Sequence, residues 1–395
     1  MRIPIVLILF LLISGCSPSG VPVPLSIQKG LDSILVRWVP DKREGICSFS
    51  LKMISSDQII VKGETNLPEA RTEILNYLSR SGIRYTDSLS VLPDTIIVKK
   101  KWGIVNVSTS NLKHNPSHSS ELVSQAIMGT PVKIMKNLDG WLLVQTPDYY
   151  IGWADESGIV ELTNAEYESW KKSERLIYTL KTGDVLSVSD NNSVVSDIVA
   201  GSILQFDSEK SNFFYVRLPD GRRGKIEKNS ALRFSKYCSE KTTTADKMIL
   251  FAKSCTGTPY LWGGTSTKTC DCSGFTKTIY FTGGVILSRD ASLQFLHGQP
   301  VDISSSLTNL EAGDLIFFGH LKNGEKKITH VGMYIGDTEV IHSSGMVRIN
   351  SLDSTRTNFS RHLKVTMMGA RRIIGARSER GVEAVGENSW YNISN

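Results

Sequence analysis

Cysteine is scarce, with six residues in a chain of 395, too few to build a disulfide scaffold. No uninterrupted apolar run reaches the roughly 18 residues that a membrane-spanning helix needs. Basic side chains outnumber acidic ones by only 45 to 39, a net charge of +6 with no Lys/Arg block, which excludes a dedicated nucleic-acid binder. Nor is the composition that of a disordered or collagen-like chain: 40% hydrophobic and 21% charged residues are ordinary for a folding sequence. At about 150 residues per domain, the length predicts two to three domains.

The N-terminus carries an address. Arg2 precedes the apolar stretch 3–13, broken only by Pro4, and Ser14, Gly15 and Cys16 follow, giving the three regions of a secretory signal peptide over 1–16. Leu12-Ile13-Ser14-Gly15-Cys16 resembles the bacterial lipobox, which implies lipidation of Cys16 and stable membrane anchoring through more than one acyl chain. A tether over 17–33 begins with a Pro/Ser/Gly-rich run. Together they predict an envelope lipoprotein, held to a membrane and facing the periplasm or exterior.

Residues 34–98 read as a small α/β unit. Strands are expected over Ser33–Val39, Ile59–Val61 and Ile83–Val91, with a helix over Pro68–Ser81 that opens Pro-Glu and stops at Gly82. No chemistry is visible in it, and its expected role is packing or positioning.

An internal repeat follows. Val144-Gln145-Thr146-Pro147-Asp148-Tyr149-Tyr150-Ile151-Gly152 matches Val216-Arg217-Leu218-Pro219-Asp220-Gly221-Arg222-Arg223-Gly224 at an offset of 72 residues, and Met128-Gly129-Thr130 matches Ala200-Gly201-Ser202 at the same offset. Short β-type runs and Pro-Asp turns predict two tandem all-β barrels, over 99–166 and 167–238, with Leu162–Arg175 as the connection. The Val-x-x-Pro-Asp-x-x-x-Gly pattern resembles bacterial SH3 (SH3b) domains. Glu121 and Tyr150 of the first copy become Ser193 and Arg222 in the second, so the first copy is the candidate for touching a ligand.

The chemistry-bearing residues lie in 245–377. A helix is predicted over Ala245–Ser254, followed by Tyr260-Leu261-Trp262-Gly263-Gly264 and then Asp271-Cys272-Ser273-Gly274-Phe275. Apolar spacing after Cys272 places that thiol in the first turn of a helix, where the helix dipole favours the thiolate over the ~8.5 pKa of a free cysteine. His330 and His342 fall on two predicted antiparallel strands joined by a turn at Gly336-Asp337. A cysteine nucleophile, a histidine base and a third group that orients the base are the parts of thiol acyl transfer. Cys270-x-Cys272 with two histidines is an alternative set of zinc ligands, although its one-residue gap is shorter than usual. Cys47, Cys238, Cys255 and Cys270 stand open between disulfides and core packing. His114, His118, His297, His320 and His362 have polar surroundings expected of surface or turn residues.

The motifs Tyr260-x-Trp262-Gly263-Gly264, Asp271-Cys272-Ser273-Gly274-Phe275, Gly313-Asp314-Leu315 and His330-Val331-Gly332-x-Tyr334-Ile335-Gly336, with Ile341-His342-Ser343 in the third position, resemble the NlpC/P60 peptidases. That resemblance implies an α+β, papain-like catalytic domain preceded by two SH3-like barrels and the small N-terminal α/β unit, with a polar tail over 378–395. It implies Cys272 as nucleophile, His330 as base, His342 as orienter, and Tyr260 with the Cys272 amide as oxyanion donors, Trp262 lining the cleft. No cofactor or metal is expected.

The full layout resembles the γ-D-glutamyl-L-diamino acid endopeptidases of the dipeptidyl-peptidase VI type. Their substrates are murein peptides with a free N-terminal L-alanine, from which L-Ala-D-Glu is released, and their first SH3b domain narrows the cleft. A cationic amine in a closed cleft needs carboxylates or hydroxyls; Glu121, Tyr150 and Asp290 are the candidates, Arg289 is expected to meet the α-carboxylate of D-Glu, and Asp271 and Ser273 complete the substrate-binding set. Two alternatives stand beside this reading: an endopeptidase or amidase acting on intact peptidoglycan, and a tethered wall-binding protein with a vestigial catalytic unit. A monomer is expected.

Overall fold

The computed structural model describes residues 22–190, 192–239, 244–304, 306–376 and 378–392. The signal segment and Cys16 lie outside the described residues. The chain divides into two compact units, one comprising residues up to 42 and 46–91, the other 43–45 and 92 onward.

In the first unit, strand Cys47–Ser55 pairs antiparallel with Gln58–Thr65, which pairs parallel with Arg84–Val91. The parallel pair needs a crossover, supplied by the helix Pro68–Arg80 with Pro68 at its start. The strand expected over Ser33–Val39 is instead the end of a helix, Leu25–Trp38, which also takes up the second half of the expected tether. Ile27, Leu31 and Ile34 repeat at helical spacing and are buried, so burial of one stripe overrides the β preference of Ile34 and Val36. This helix lies on Pro68–Arg80 so closely that a Cβ on Gly30 would collide with the Tyr77 ring.

The second unit begins with two antiparallel seven-stranded sheets of the same design. The first has the order Ile159–Leu162, Trp102–Val105, Pro131–Leu138, Trp141–Gln145, Ile151–Asp155, Thr109–Lys113, Leu122–Ile127. The second, read from Ala231–Arg233 to Val194–Val199, repeats that order strand for strand. Each closes around its own apolar cluster, with Val132, Ile134, Leu142 and Val144 in one and Val185, Leu204, Val216 and Ile226 in the other. Between them runs a helix, Asn164–Lys172, started by a Thr163/Glu166 capping box; the boundary drawn at 166/167 falls inside it.

The last part is a six-stranded antiparallel sheet in the order Gln299–Val301, Met367–Arg372, Leu315–Lys322, Glu325–Tyr334, Glu339–Ser344, Met346–Ser351. The helix Cys272–Thr282 packs on it through Phe275, Ile279 and Tyr280, all buried with Phe317, Val331 and Ile341. The expected polar tail is also part of the fold. Val382–Ala384 pairs with Val285–Leu287, and Val385 and Tyr391 are buried with Ile104, Ile177, Ile203 and Ile286. The few apolar residues of this segment stitch both barrels to the C-terminal sheet, whatever its average polarity.

Candidate active site

Cys272 opens its helix, and Asp271 is the N-cap. Asp271 Oδ1 accepts from the Gly274 amide at 2.7 Å and Oδ2 from the Gly263 amide at 2.9 Å. Arg289 grips the same carboxylate with two nitrogens, Nη1–Oδ1 at 3.1 Å and Nη2–Oδ2 at 2.5 Å. Its guanidinium is only 1% exposed and also donates to Ser124 of the first barrel and to Ser273. Burial alone would lower the pKa of Arg289, but Asp271 more than offsets it and raises it. Arg289 therefore ties the first barrel to the turn that carries the nucleophile.

Arg289 donates to Asp271, Ser273 and Ser124 inside the protein. Asp271 and Ser273 are buried and partnered with Arg289 and the helix start.

The Val331 backbone, on the His330 strand, and the Ser273 backbone favour the thiolate of Cys272. Burial, and then the Asp271 charge, push the Cys272 thiol up to about 11. Desolvation thus opposes the thiolate expected at the helix N-terminus. Burial and the neighbouring His342 depress His330 to about 3. Both shifts favour the neutral thiol and the neutral imidazole, which suits a base that takes the proton as attack occurs.

His330 Nε2 and His342 Nδ1 are 2.8 Å apart, and His342 Nε2 is 3.0 Å from Asn350 Oδ1. Asn350 Nδ2 donates to the Asn358 carbonyl at 3.0 Å. A carbonyl only accepts, so the amide orientation of Asn350 is fixed, and its oxygen must receive a proton from His342 Nε2. Neutral His342 then accepts at Nδ1, His330 donates from Nε2, and His330 Nδ1 remains as the basic nitrogen. The two imidazoles aim nitrogens at each other and cannot share a metal in this arrangement. Sequence reasoning missed Asn350; its place eight residues after His342, across a hairpin at Gly345, was the available signal.

Tyr260 is half-buried, and burial, with Cys272 and Asp271 adding to it, pushes its phenol up to about 12, so the hydroxyl keeps a proton to donate. Trp262 is 62% exposed, and its Nε1 donates to Glu121 at 2.7 Å. The other carboxylate, Asp290, accepts from Tyr150 Oη at 3.1 Å and Arg43 Nη1 at 2.6 Å. The structure thus brings Glu121 and Tyr150 of the first barrel onto Trp262 and Asp290 of the C-terminal part. Tyr149 takes a positive φ of 65° where the second copy has Gly221 at 88°; that strained turn, with Arg380 over the Tyr149 ring, sets the position of Tyr150. Gly263 is pressed on the barrel as well, since a Cβ there would lie 2.3 Å from the Leu122 carbonyl. Cys47, Cys238, Cys255, Cys270 and Cys272 are all free thiols.

The NlpC/P60 family profile matches residues 257–367, and that of the bacterial dipeptidyl-peptidase SH3 domain matches 112–159. The chain is 32% identical over 236 residues to a γ-D-glutamyl-L-lysine dipeptidyl-peptidase of Bacillus cereus, covering 58% of this chain and 68% of the relative. It is 28% identical over 274 residues to dipeptidyl-peptidase 6 of Lysinibacillus sphaericus, covering 67% of this chain and 96% of the relative. Among solved structures, an NlpC/P60 family protein from Bacillus cereus superposes with a TM-score of 0.61 at 26% identity, covering 69% of this chain and 99% of that one.

Proposed function

The chain belongs to the NlpC/P60 family of cysteine peptidases, and on that footing we propose that it cleaves the γ-D-glutamyl–diamino acid bond of murein peptides with a free N-terminal L-alanine, releasing L-Ala-D-Glu. The name of the Bacillus cereus relative supports the bond, and the first barrel supports the free amine. The observation that carries the second point is the pairing of Tyr150 and Glu121, both on the first barrel, with Asp290 and Trp262.

In this reading His330 Nδ1 takes the Cys272 proton as sulfur attacks the γ-carbonyl. Tyr260 Oη and the Cys272 amide donate to the oxygen that becomes anionic. The imidazolium returns its proton to the departing amine of the diamino acid, and water then releases L-Ala-D-Glu by the reverse steps. The substrate ammonium sits among Glu121, Asp290 and the Tyr150 hydroxyl. The signal-like N-terminus with Cys16 supports an envelope location through a lipid anchor.

Incubating protein lacking residues 1–16 with L-Ala-γ-D-Glu-L-Lys and its diaminopimelate counterpart, with Cys272→Ala beside it, tests the reading. Mass spectrometry is expected to find L-Ala-D-Glu in the wild-type reaction alone. Intact peptides, with cutting confined to assembled peptidoglycan, would contradict it.

A further inference from the structure

Asp290 is already engaged by a cation of this chain. Arg43 Nη1 lies 2.6 Å from Asp290 Oδ2, and both terminal nitrogens lie 3.3 Å from Ser292 Oγ. The backbone beneath Arg43 is fixed to the strand that follows Tyr150. The Arg43 carbonyl accepts from the Ile151 amide at 2.9 Å, and the Glu44 carbonyl accepts from Gln145 at 3.0 Å. Glu44 also pairs with Arg380 at 3.2 Å. The Arg43 side chain, by contrast, is 37% exposed. Its base is anchored and its side chain partly exposed.

We propose that Arg43 is a specificity-determining residue, an internal cation that occupies Asp290 until the α-ammonium of a substrate replaces it. The proposal rests on the free-amine reading above. A partly exposed ion pair is cheap to break, so exchange for another cation is feasible, whereas a neutral N-terminus has nothing to offer in return. Tyr150 shares the same carboxylate oxygen and remains to receive the incoming amine. With Arg43 in place, the charge of Asp290 is balanced in the empty enzyme, and apparent affinity is reduced by the fraction of molecules in which Arg43 holds the site.

The test compares wild type, Arg43→Ala, Arg43→Lys and Asp290→Asn on L-Ala-γ-D-Glu-L-Lys at low and high salt. Arg43→Ala is expected to lower KM about two- to fivefold at low salt, the size of an exposed ion pair, with kcat unchanged. The gap should narrow as salt screens the pair, and Arg43→Lys should keep most of the wild-type KM. An unchanged or raised KM in Arg43→Ala, with Asp290→Asn raising KM, would overturn the proposal and leave the amine pocket standing. An unchanged KM in Asp290→Asn would remove the amine pocket and this proposal with it.

Discussion

His342 Nε2 stands 3.0 Å from Asn350 Oδ1, and this contact decides which nitrogen of His330 is basic. The Asn358 carbonyl holds the Asn350 amide in one orientation, and the proton order along His342 and His330 follows. A chain of three side chains, rather than a pair, thereby prepares the base.

Replacing Asn350 by Ala frees both histidines to change tautomer. The expected result is a fall in kcat of roughly tenfold, a part of the 10²–10⁴-fold that a positioned base contributes, with KM little changed. Asn350→Asp keeps an acceptor on His342 and adds negative charge, so the acid limb of kcat/KM should move to higher pH. A matching loss in both variants with no change of pH profile would make Asn350 merely structural.

The pH profile also separates enzyme from substrate. His330 is depressed to about 3 and must be neutral to act, so the acid limb should lie well below the ordinary histidine value. Cys272 is raised to about 11, so the enzyme itself sets no alkaline limb near neutrality. A substrate that must carry a protonated amine, with a pKa of ~8, should lose kcat/KM above that pH. Alkylation of the resting thiol should rise steadily toward high pH; a thiolate plateau at neutral pH would mean a preformed ion pair.

Arg289→Lys cannot reproduce the two-point grip on Asp271. Arg289→Ala leaves that carboxylate buried and unpaired, a loss of about 3–5 kcal/mol to be read by denaturant unfolding. Lys is expected to fall between wild type and Ala and to lower activity through the turn that carries Cys272. Wild-type stability in Arg289→Ala would show that the grip is incidental.

Gly263→Ala places a Cβ against the Leu122 carbonyl at a φ of +81°. A non-glycine residue in that region costs of order 1–3 kcal/mol, and here it also pushes the loop off the first barrel. Expected are a lower Tm and a raised KM for free-amine peptides, measured by calorimetry and kinetics.

Much of this site was legible in the sequence because its motifs are local. Asp271-Cys272 at a helix start and two histidines across a hairpin follow from spacing alone, and the 72-residue repeat announced two like-built sheets. The remainder depended on long-range burial. The pairing of Arg289 with Asp271 and with Ser124 of the first barrel is not visible in the local sequence. The helix Leu25–Trp38 reads as a strand because Ile34 and Val36 are β-branched, while the buried stripe that wins begins inside the expected tether. Arg43 carries no sequence signal at all, since its partner lies 247 residues away.

The most direct test is the ratio of kcat/KM for L-Ala-γ-D-Glu-L-Lys and for its N-acetylated form in the wild-type enzyme. Acetylation removes the ammonium and its charge-assisted hydrogen bonds to Glu121, Asp290 and Tyr150, a loss of about 2 kcal/mol or more. The ratio is therefore expected to exceed roughly thirtyfold. Equal cutting of the two peptides would contradict the free-amine site and leave a cysteine peptidase that does not read the N-terminus.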